Sequence, residues 1–210
     1  MSDYLLRTVD DLRAHYHQPS RLVKAKVRPE LDPNSRAFIE RAPFVLLATV
    51  AADGGVDVSP RGGPPGFVRV LDGNRVAIPD LNGNNLLYSL ENIVATGQVG
   101  LLFVLPGQDE TLRVNGHAAV TTEPAVLDSF TAELRRPKTA VVVDVDEVFI
   151  HCAKAFRRGE VWSPDSWDRH RAGPDAVSIL SCQLGLDDGE SLRARLEEGY
   201  AQELAADRPD

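Results

Sequence analysis

Two turns rich in glycine and proline carry the residues of this chain that are best suited to binding chemistry. The first runs from Ser59 to Phe67 and contains Arg61, and the second runs from Pro79 to Asn85. An arginine can donate paired hydrogen bonds to a phosphate group. The second turn is predicted to open directly into a helix, whose first backbone N–H groups and positive dipole end attract anions. Together the two turns predict a site for a phosphorylated, planar ligand.

Each of these residues also has an ordinary structural interpretation. Arg61 can be a surface residue of a turn, and Asn84 can cap the following helix without any ligand. Arg113 lies between Leu112 and Val114 on a predicted strand, so that its side chain points either outward into solvent or inward to a ligand. Lys154 and Arg157 have the i, i+3 spacing of one helical face, where they can bind one anion or simply be solvated.

The elements that must position these residues read mainly as strands. Asp53-Gly54-Gly55 and Asp72-Gly73-Asn74 are hairpin signals, because they supply the residues that tight turns between antiparallel strands require. The segments predicted as strands are 44–50, 56–59, 67–71, 75–79, 99–105, 111–122 and 140–150. Helices are predicted at 84–96 and from Pro124 onward. Hairpins with inserted helices favour an antiparallel β-barrel over a doubly wound parallel sheet.

The chain is predicted to contain one principal domain with two extensions. Residues 1–37 form an N-terminal arm of short helices interrupted by prolines, residues 38–182 form the barrel domain, and residues 183–210 form an acidic tail with one helix near 191–204. A further short helix is predicted at 34–41. A length of 210 residues suffices for one domain with a substantial core.

Composition argues against several classes of function. The net charge of −8 disfavours binding to nucleic acid, and the longest apolar run, residues 44–52, is too short to cross a membrane. The N-terminus lacks the apolar core of a secretory signal, and the two cysteines form no Cys-x-x-Cys pair. We therefore expect a cytoplasmic protein with no membrane or nucleic-acid partner. The spacing of the histidines predicts no metal site.

Five motifs in order carry a resemblance to a known family. They are Phe44 to Val50, the Ser59-Pro60-Arg61-Gly62 turn with Pro64 to Phe67, Gly83-Asn84-Asn85, Val99 to Phe103, and Glu110 to Gly116. Over residues 38–162 the chain resembles the pyridoxamine 5′-phosphate oxidase-related, FMN-binding split-barrel family. The resemblance implies a six-stranded antiparallel split β-barrel that forms a homodimer, with two FMN molecules bound at the subunit interface.

The resemblance also implies roles for individual residues. Arg61, with the adjacent Gly62, and the turn Gly83-Asn84-Asn85 are expected at the FMN phosphate. The residues expected near the flavin ring or the ribityl chain are Ser59, Phe67, Pro79 and Asp80. Those expected to approach the ring from the other side are Thr111 and Arg113, and further candidate anion contacts are Lys154 and Arg157. No catalytic residue is assigned.

One departure from the family pattern affects the expected substrate. Pyridoxamine 5′-phosphate oxidase carries a basic pair at the turn that opens the helix, where this chain has Asn84 and Asn85. We therefore expect an FMN-dependent oxidoreductase that acts on a small molecule other than a B6 phosphate, with NAD(P)H as a candidate electron donor. The alternatives are a non-catalytic flavin or haem carrier and a reductase that uses the deazaflavin F420.

Overall fold

A computed structural model describes residues 4–209 and places a seven-stranded antiparallel sheet at the centre of the molecule. The strands follow the order β2-β1-β5-β6-β7-β4-β3 across the sheet. Their bounds are β1 Phe44–Val50, β2 Val56–Gly62, β3 Arg69–Asp72, β4 Arg75–Pro79, β5 Gln98–Val104, β6 Thr111–Thr121 and β7 Ala140–Ile150. The expected mainly β architecture with inserted helices is confirmed, but the sheet has seven strands instead of the six that the resemblance implied.

Short helices surround the sheet, and one longer helix ends the described chain. Their bounds are α1 Val9–Ala14, α2 Arg21–Ala25, α3 Pro33–Arg41, α4 Tyr88–Thr96, α5 Pro124–Asp128, α6 Lys154–Arg158, α7 Pro164–Arg171, α8 Ala176–Leu184 and α9 Gly189–Ala206. Within residues 4–209, no helix is both long enough and apolar enough to cross a membrane.

The core lies on one face of the sheet, because side chains alternate between faces along a strand. In β1, Val45, Leu47 and Thr49 are fully buried, whereas Phe44 on the other face is 37% exposed. Ile39 of α3 and Ile93 of α4 pack against the buried face with the large side chains of the neighbouring strands. Burial of this apolar surface is the main force that holds the helices against the sheet.

The long strands β6 and β7 join the two halves of the sheet. Their register runs from Leu112 opposite Ile150 to Thr121 opposite Ala140, with one shift between Asn115 and Gly116. A Cβ atom at Gly116 would lie 2.0 Å from the carbonyl oxygen of Asp144, so the β7 backbone leaves room only for glycine.

The N-terminal arm returns to the sheet and is held there by backbone and side-chain bonds. Arg28 exchanges backbone hydrogen bonds with Val148 at 3.0 and 2.8 Å. The Asn74 side chain donates to the Pro29 carbonyl at 2.8 Å and to the Val145 carbonyl at 2.6 Å. Asn74, predicted only as a turn residue, thus also links the arm to β7.

Two predicted helices differ from those observed. The helix predicted at 84–96 begins at Tyr88, because Asn85 and Leu87 have φ values of 57° and 56°, which a right-handed helix does not tolerate. The helix predicted from Pro124 ends at Asp128, although Phe130 and Leu134 are buried as expected from their pattern. The spacing of apolar residues therefore predicted which side chains are buried, but it did not predict where these two helices begin and end.

We expect Gly116→Ala to lower the free energy of unfolding by about 2–3 kcal/mol, because the new methyl group forces the β7 backbone away from β6. Gly199→Ala in α9 is the matched control, since no atom lies within 4 Å of the added Cβ. This second change should stabilise the protein by about 0.5–1 kcal/mol. Urea denaturation of the two variants measures the difference, and equal effects would contradict the close approach at Gly116.

Candidate functional site

A cavity with a volume of about 550 Å³ lies beside β2. Its walls are Asp57 and residues 59–62 of β2, the loop 80–87 that connects β4 to α4, and the first turn of α4. Leu204 and Asp207, at the end of α9, line it as well. A volume of this size is typical of cavities that bind small molecules and cofactors.

The alternation of β2 directs three polar side chains toward the cavity. Asp57, Ser59 and Arg61 share the face of β2 that continues the buried face of β1, since Ser59 pairs with buried Leu47. Val58 lies between them on the opposite face. The polar residues of β2 therefore meet the cavity on the inner side of the sheet.

A small hydrogen-bond network ties β2 to the start of α4. The Ser89 hydroxyl donates to Oδ2 of Asp57 at 2.6 Å, and the Ser59 hydroxyl donates to the same oxygen at 3.0 Å. The two hydroxyl oxygens are 3.1 Å apart. Ser89 is only 2% exposed, so this network fixes the first turn of α4 against the strand. Sequence analysis missed Asp57, although its alternation with Ser59 and Arg61 was a usable signal.

The start of α4 carries no side-chain cap. Leu87 is the N-cap residue, and no side chain bonds the first N–H groups of the helix. The Asn84 side chain instead accepts a hydrogen bond from the Leu86 N–H at 3.1 Å, so that it stabilises the loop and does not cap the helix. Tyr88 and Ser89 line the cavity. The uncapped helix start can therefore donate hydrogen bonds to an anion in the cavity.

Arg61 supplies the positive side chain of the cavity wall. Its Nη1 donates to the Pro60 carbonyl at 2.9 Å, which leaves further guanidinium N–H groups for a ligand. Burial raises the pKa of Asp80 above its ordinary value, and the charges of Arg61 and Lys138 oppose that increase. Asp80 is half-buried at the end of β4.

Negative side chains outnumber positive ones in this cavity. Its lining includes three carboxylates, Asp57, Asp80 and Asp207, and one guanidinium, that of Arg61. An anionic ligand must therefore depend on backbone N–H groups and Arg61 to offset repulsion from the carboxylates.

The structure brings most of the predicted site residues to this cavity. Those that line it are Ser59, Arg61, Gly62, Phe67, Pro79, Asp80, Gly83, Asn84 and Asn85. The predicted residues that do not line it are Thr111, Arg113, Lys154 and Arg157. Sequence analysis also missed Leu204 and Asp207, which are distant along the chain from every motif that it used.

The four remaining candidates lie elsewhere, with Thr111 and Arg113 on β6 and with Lys154 and Arg157 on α6. Thr111 is buried in β6. Arg113 is partly exposed. Its Nη2 atom lies 3.2 Å from Oε1 of Glu147, and its Cζ atom lies 4.9 Å from the centre of the Phe149 ring. Arg157 forms an exposed ion pair with Asp109 at 2.8 Å. A contact between these residues and a ligand in this cavity stays a prediction.

Comparison of the sequence with family models matches residues 31–152 to the model described as Pyridoxamine 5′-phosphate oxidase. The match covers more than half of the chain and includes the first turn of the cavity, the loop 80–87 and all seven strands. No curated protein matches the sequence significantly.

Several solved structures resemble the fold. HupZ from Group A Streptococcus is 19% identical, with a TM-score of 0.47 over 57% of this chain and 93% of that chain. An FMN-binding protein from Syntrophomonas wolfei is 13% identical, with a TM-score of 0.42 over 69% of this chain and 97% of that chain. HutZ, the haem storage protein from Vibrio cholerae, is 15% identical, with a TM-score of 0.41 over 58% of this chain and 93% of that chain. Similarity this low says nothing about ligand or activity.

We expect Asp80→Asn to stabilise the protein at pH 7. Because burial raises the pKa of Asp80 in the folded state, the ionised carboxylate costs stability at neutral pH, and protonation removes that cost as the pH falls through the raised pKa. The advantage of the variant should therefore shrink between pH 7 and pH 4 in urea denaturation experiments. Glu197→Gln, which removes an exposed charge on α9, is the control. An advantage that grows on acidification would contradict the burial of Asp80.

Proposed function

Since the chain belongs to the pyridoxamine 5′-phosphate oxidase family, we propose that it is a flavoprotein that binds FMN in the cavity beside β2 and acts as an FMN-dependent oxidoreductase. The observation that carries this proposal is the uncapped start of α4, which faces the same cavity as Arg61. A helix start and an arginine form a common combination for binding phosphate.

The residues of the cavity fit the parts of FMN. The loop 83–85, the start of α4 and Arg61 would hold the phosphate, and the Ser59 hydroxyl would lie beside the ribityl chain. The network of Asp57, Ser59 and Ser89 would keep this wall in place when the ligand enters, because the hydroxyls are already oriented by the carboxylate. When bound, FMN would supply hydride or electron transfer, and the chain would orient it and limit its access to water.

We also propose that the protein forms a homodimer through the outer face of its sheet. Val56 and Val58 on the edge strand β2 are 72% and 57% exposed, and Phe44 of β1 lies on the same face. A contiguous apolar face of this kind favours association. Arg113 and Phe149 lie on the same outer face, so they would lie on the side of the sheet that a second copy covers. The molar mass by light scattering tests the dimer.

The electrostatics of the cavity favour FMN over F420, which carries an acidic tail beyond its phosphate. Three carboxylates and one guanidinium offer that tail few partners. Haem requires an axial ligand, and the residues that line this cavity include no histidine, cysteine or methionine, with Tyr88 the one residue of a ligating type. FMN therefore agrees best with the cavity.

The substrate we propose is a small molecule other than a B6 phosphate. The uncharged pair Asn84 and Asn85 occupies the turn that is basic in pyridoxamine 5′-phosphate oxidase, and Asn84 is already engaged with the Leu86 N–H. The open cavity leaves room for reduced nicotinamide to approach the flavin as electron donor.

We expect Arg61→Ala to weaken FMN binding by about 1.5–3 kcal/mol, the range for a hydrogen bond to a charged group, without loss of the fold. Riboflavin lacks the phosphate and should bind the variant as it binds the unaltered protein. Arg21→Ala, at an exposed position of α2, is the matched control for the loss of one positive charge. Fluorescence titration of both flavins measures the effect, and an equal loss for FMN and riboflavin would place Arg61 away from the phosphate.

We expect NADH or NADPH to bleach the flavin absorbance of the FMN-loaded protein under anaerobic conditions. Pyridoxamine and pyridoxine phosphates should show little or no turnover. The turn at residues 83–85 lacks the basic pair of pyridoxamine 5′-phosphate oxidase, and that enzyme's basic residues around a histidine for the substrate phosphate are not recognisable after residue 162. Stopped-flow absorbance near ~450 nm and steady-state assays provide the two measurements. Failure of both nicotinamides to reduce the flavin would favour the carrier alternative. A kcat/KM of ~10⁴ M⁻¹s⁻¹ or more with a B6 phosphate would contradict our interpretation of the turn.

A further inference from the structure

The end of the C-terminal helix α9 forms one wall of the cavity that we propose for FMN. Leu204 and Asp207 both line this cavity, although they lie more than 110 residues beyond the start of α4. The sequence predicts only an acidic tail with one helix near 191–204 and no contact with the site. The last turn of this helix instead reaches the loop that leads into α4.

Hydrogen bonds on two sides hold Asp207 in this position. Its Oδ1 accepts from the side-chain amide of Asn82 at 2.7 Å and from the Asn82 backbone N–H at 3.2 Å. Its backbone carbonyl accepts from the Arg135 N–H at 2.8 Å, in the segment that follows α5. The carboxylate is thus attached to the loop 80–87, two residues before Asn84.

The charge of this carboxylate acts against an anionic ligand. The bonds from Asn82 hold Asp207 next to the loop 83–85 that would bind the phosphate. Asp207 adds a third negative charge to a cavity that contains Asp57, Asp80 and the single guanidinium of Arg61. In a partly enclosed site such repulsion is screened less than on an open surface.

We propose that Asp207 is a specificity-determining residue of the cofactor cavity, which lowers the affinity for ligands in proportion to the negative charge at their phosphate end. This inference rests on the proposed binding of FMN. Asp207 would reduce the preference for FMN over uncharged riboflavin, and it would disfavour more strongly a flavin analogue with an acidic tail beyond the phosphate.

Asp207→Asn isolates the charge, because the asparagine keeps a side-chain oxygen that can accept the hydrogen bonds from Asn82. Glu197→Gln is the matched control. It removes the same charge from an exposed position ten residues earlier on α9, about 15 Å along the helix axis and beyond a Debye length at physiological ionic strength. Both variants are made in the 210-residue chain and freed of bound flavin.

Fluorescence titration with FMN and riboflavin then gives the ratio of the two dissociation constants for each protein. Asp207→Asn should raise the preference for FMN by about 3- to 10-fold at physiological ionic strength, with a smaller effect at high salt, and should leave riboflavin affinity unchanged. Glu197→Gln should leave the ratio unchanged.

The outcomes separate this inference from the function on which it rests. If the unaltered protein binds FMN but Asp207→Asn leaves the ratio unchanged, or Glu197→Gln changes it as much, the role of Asp207 is overturned alone. Equal tightening of both flavins would also overturn it, because a loosened wall and not a lost charge would then explain the change. If the unaltered protein binds neither flavin, the proposed cofactor is wrong and this inference is wrong with it.

Discussion

The close pairing of β6 with β7 is the constraint on which the rest of the structure depends. These two strands are the longest in the sheet, and they connect the half that contains β2, β1 and β5 to the half that contains β4 and β3. Their backbones approach so closely at Gly116 that a side chain there would collide with the Asp144 carbonyl. The cavity takes its walls from both halves, since β2 belongs to one and the loop after β4 leaves the other. A loss of pairing between β6 and β7 would therefore separate the two walls of the site.

Within that frame, short polar contacts set the shape of the cavity. The carboxylate of Asp57 holds the hydroxyls of Ser59 and Ser89, and so fixes the start of α4 beside the strand. The left-handed residues Asn85 and Leu87 delay the helix until Tyr88 and leave its first N–H groups without a side-chain cap. The cavity therefore combines free backbone N–H groups at the start of α4 with the guanidinium of Arg61 and three carboxylates. The anion binding that we propose there depends on those donors, and the carboxylates oppose it.

The two extensions of the barrel domain contribute in different ways. The N-terminal arm is held to β7 by Arg28 and by the side chain of Asn74, which stabilises the sheet on the side away from β2. The C-terminal helix reaches the cavity itself through Asp207. The family match ends at residue 152, so this wall belongs to a part of the chain that the family model does not cover. The family match therefore includes the sheet and its two turns, whereas Leu204 and Asp207 lie outside the matched segment.

The sequence by itself determined the features that depend on local spacing. Glycine-containing hairpins, the alternation of strands such as β1 and the order of five motifs were sufficient to predict the antiparallel fold, the family and the two turns that meet at the cavity. The tertiary structure alone decided which distant groups meet. Asp207 bonds to Asn82 across 125 residues, and Arg113 lies beside Glu147 on the outer face of the sheet. Such contacts follow from how the sheet curves and where helices pack, and neither leaves a periodic signal in the chain. The tertiary structure also decided that α4 begins at Tyr88. A left-handed backbone at a residue such as Leu87 arises from the packing of its surroundings and not from the residue's own conformational preference.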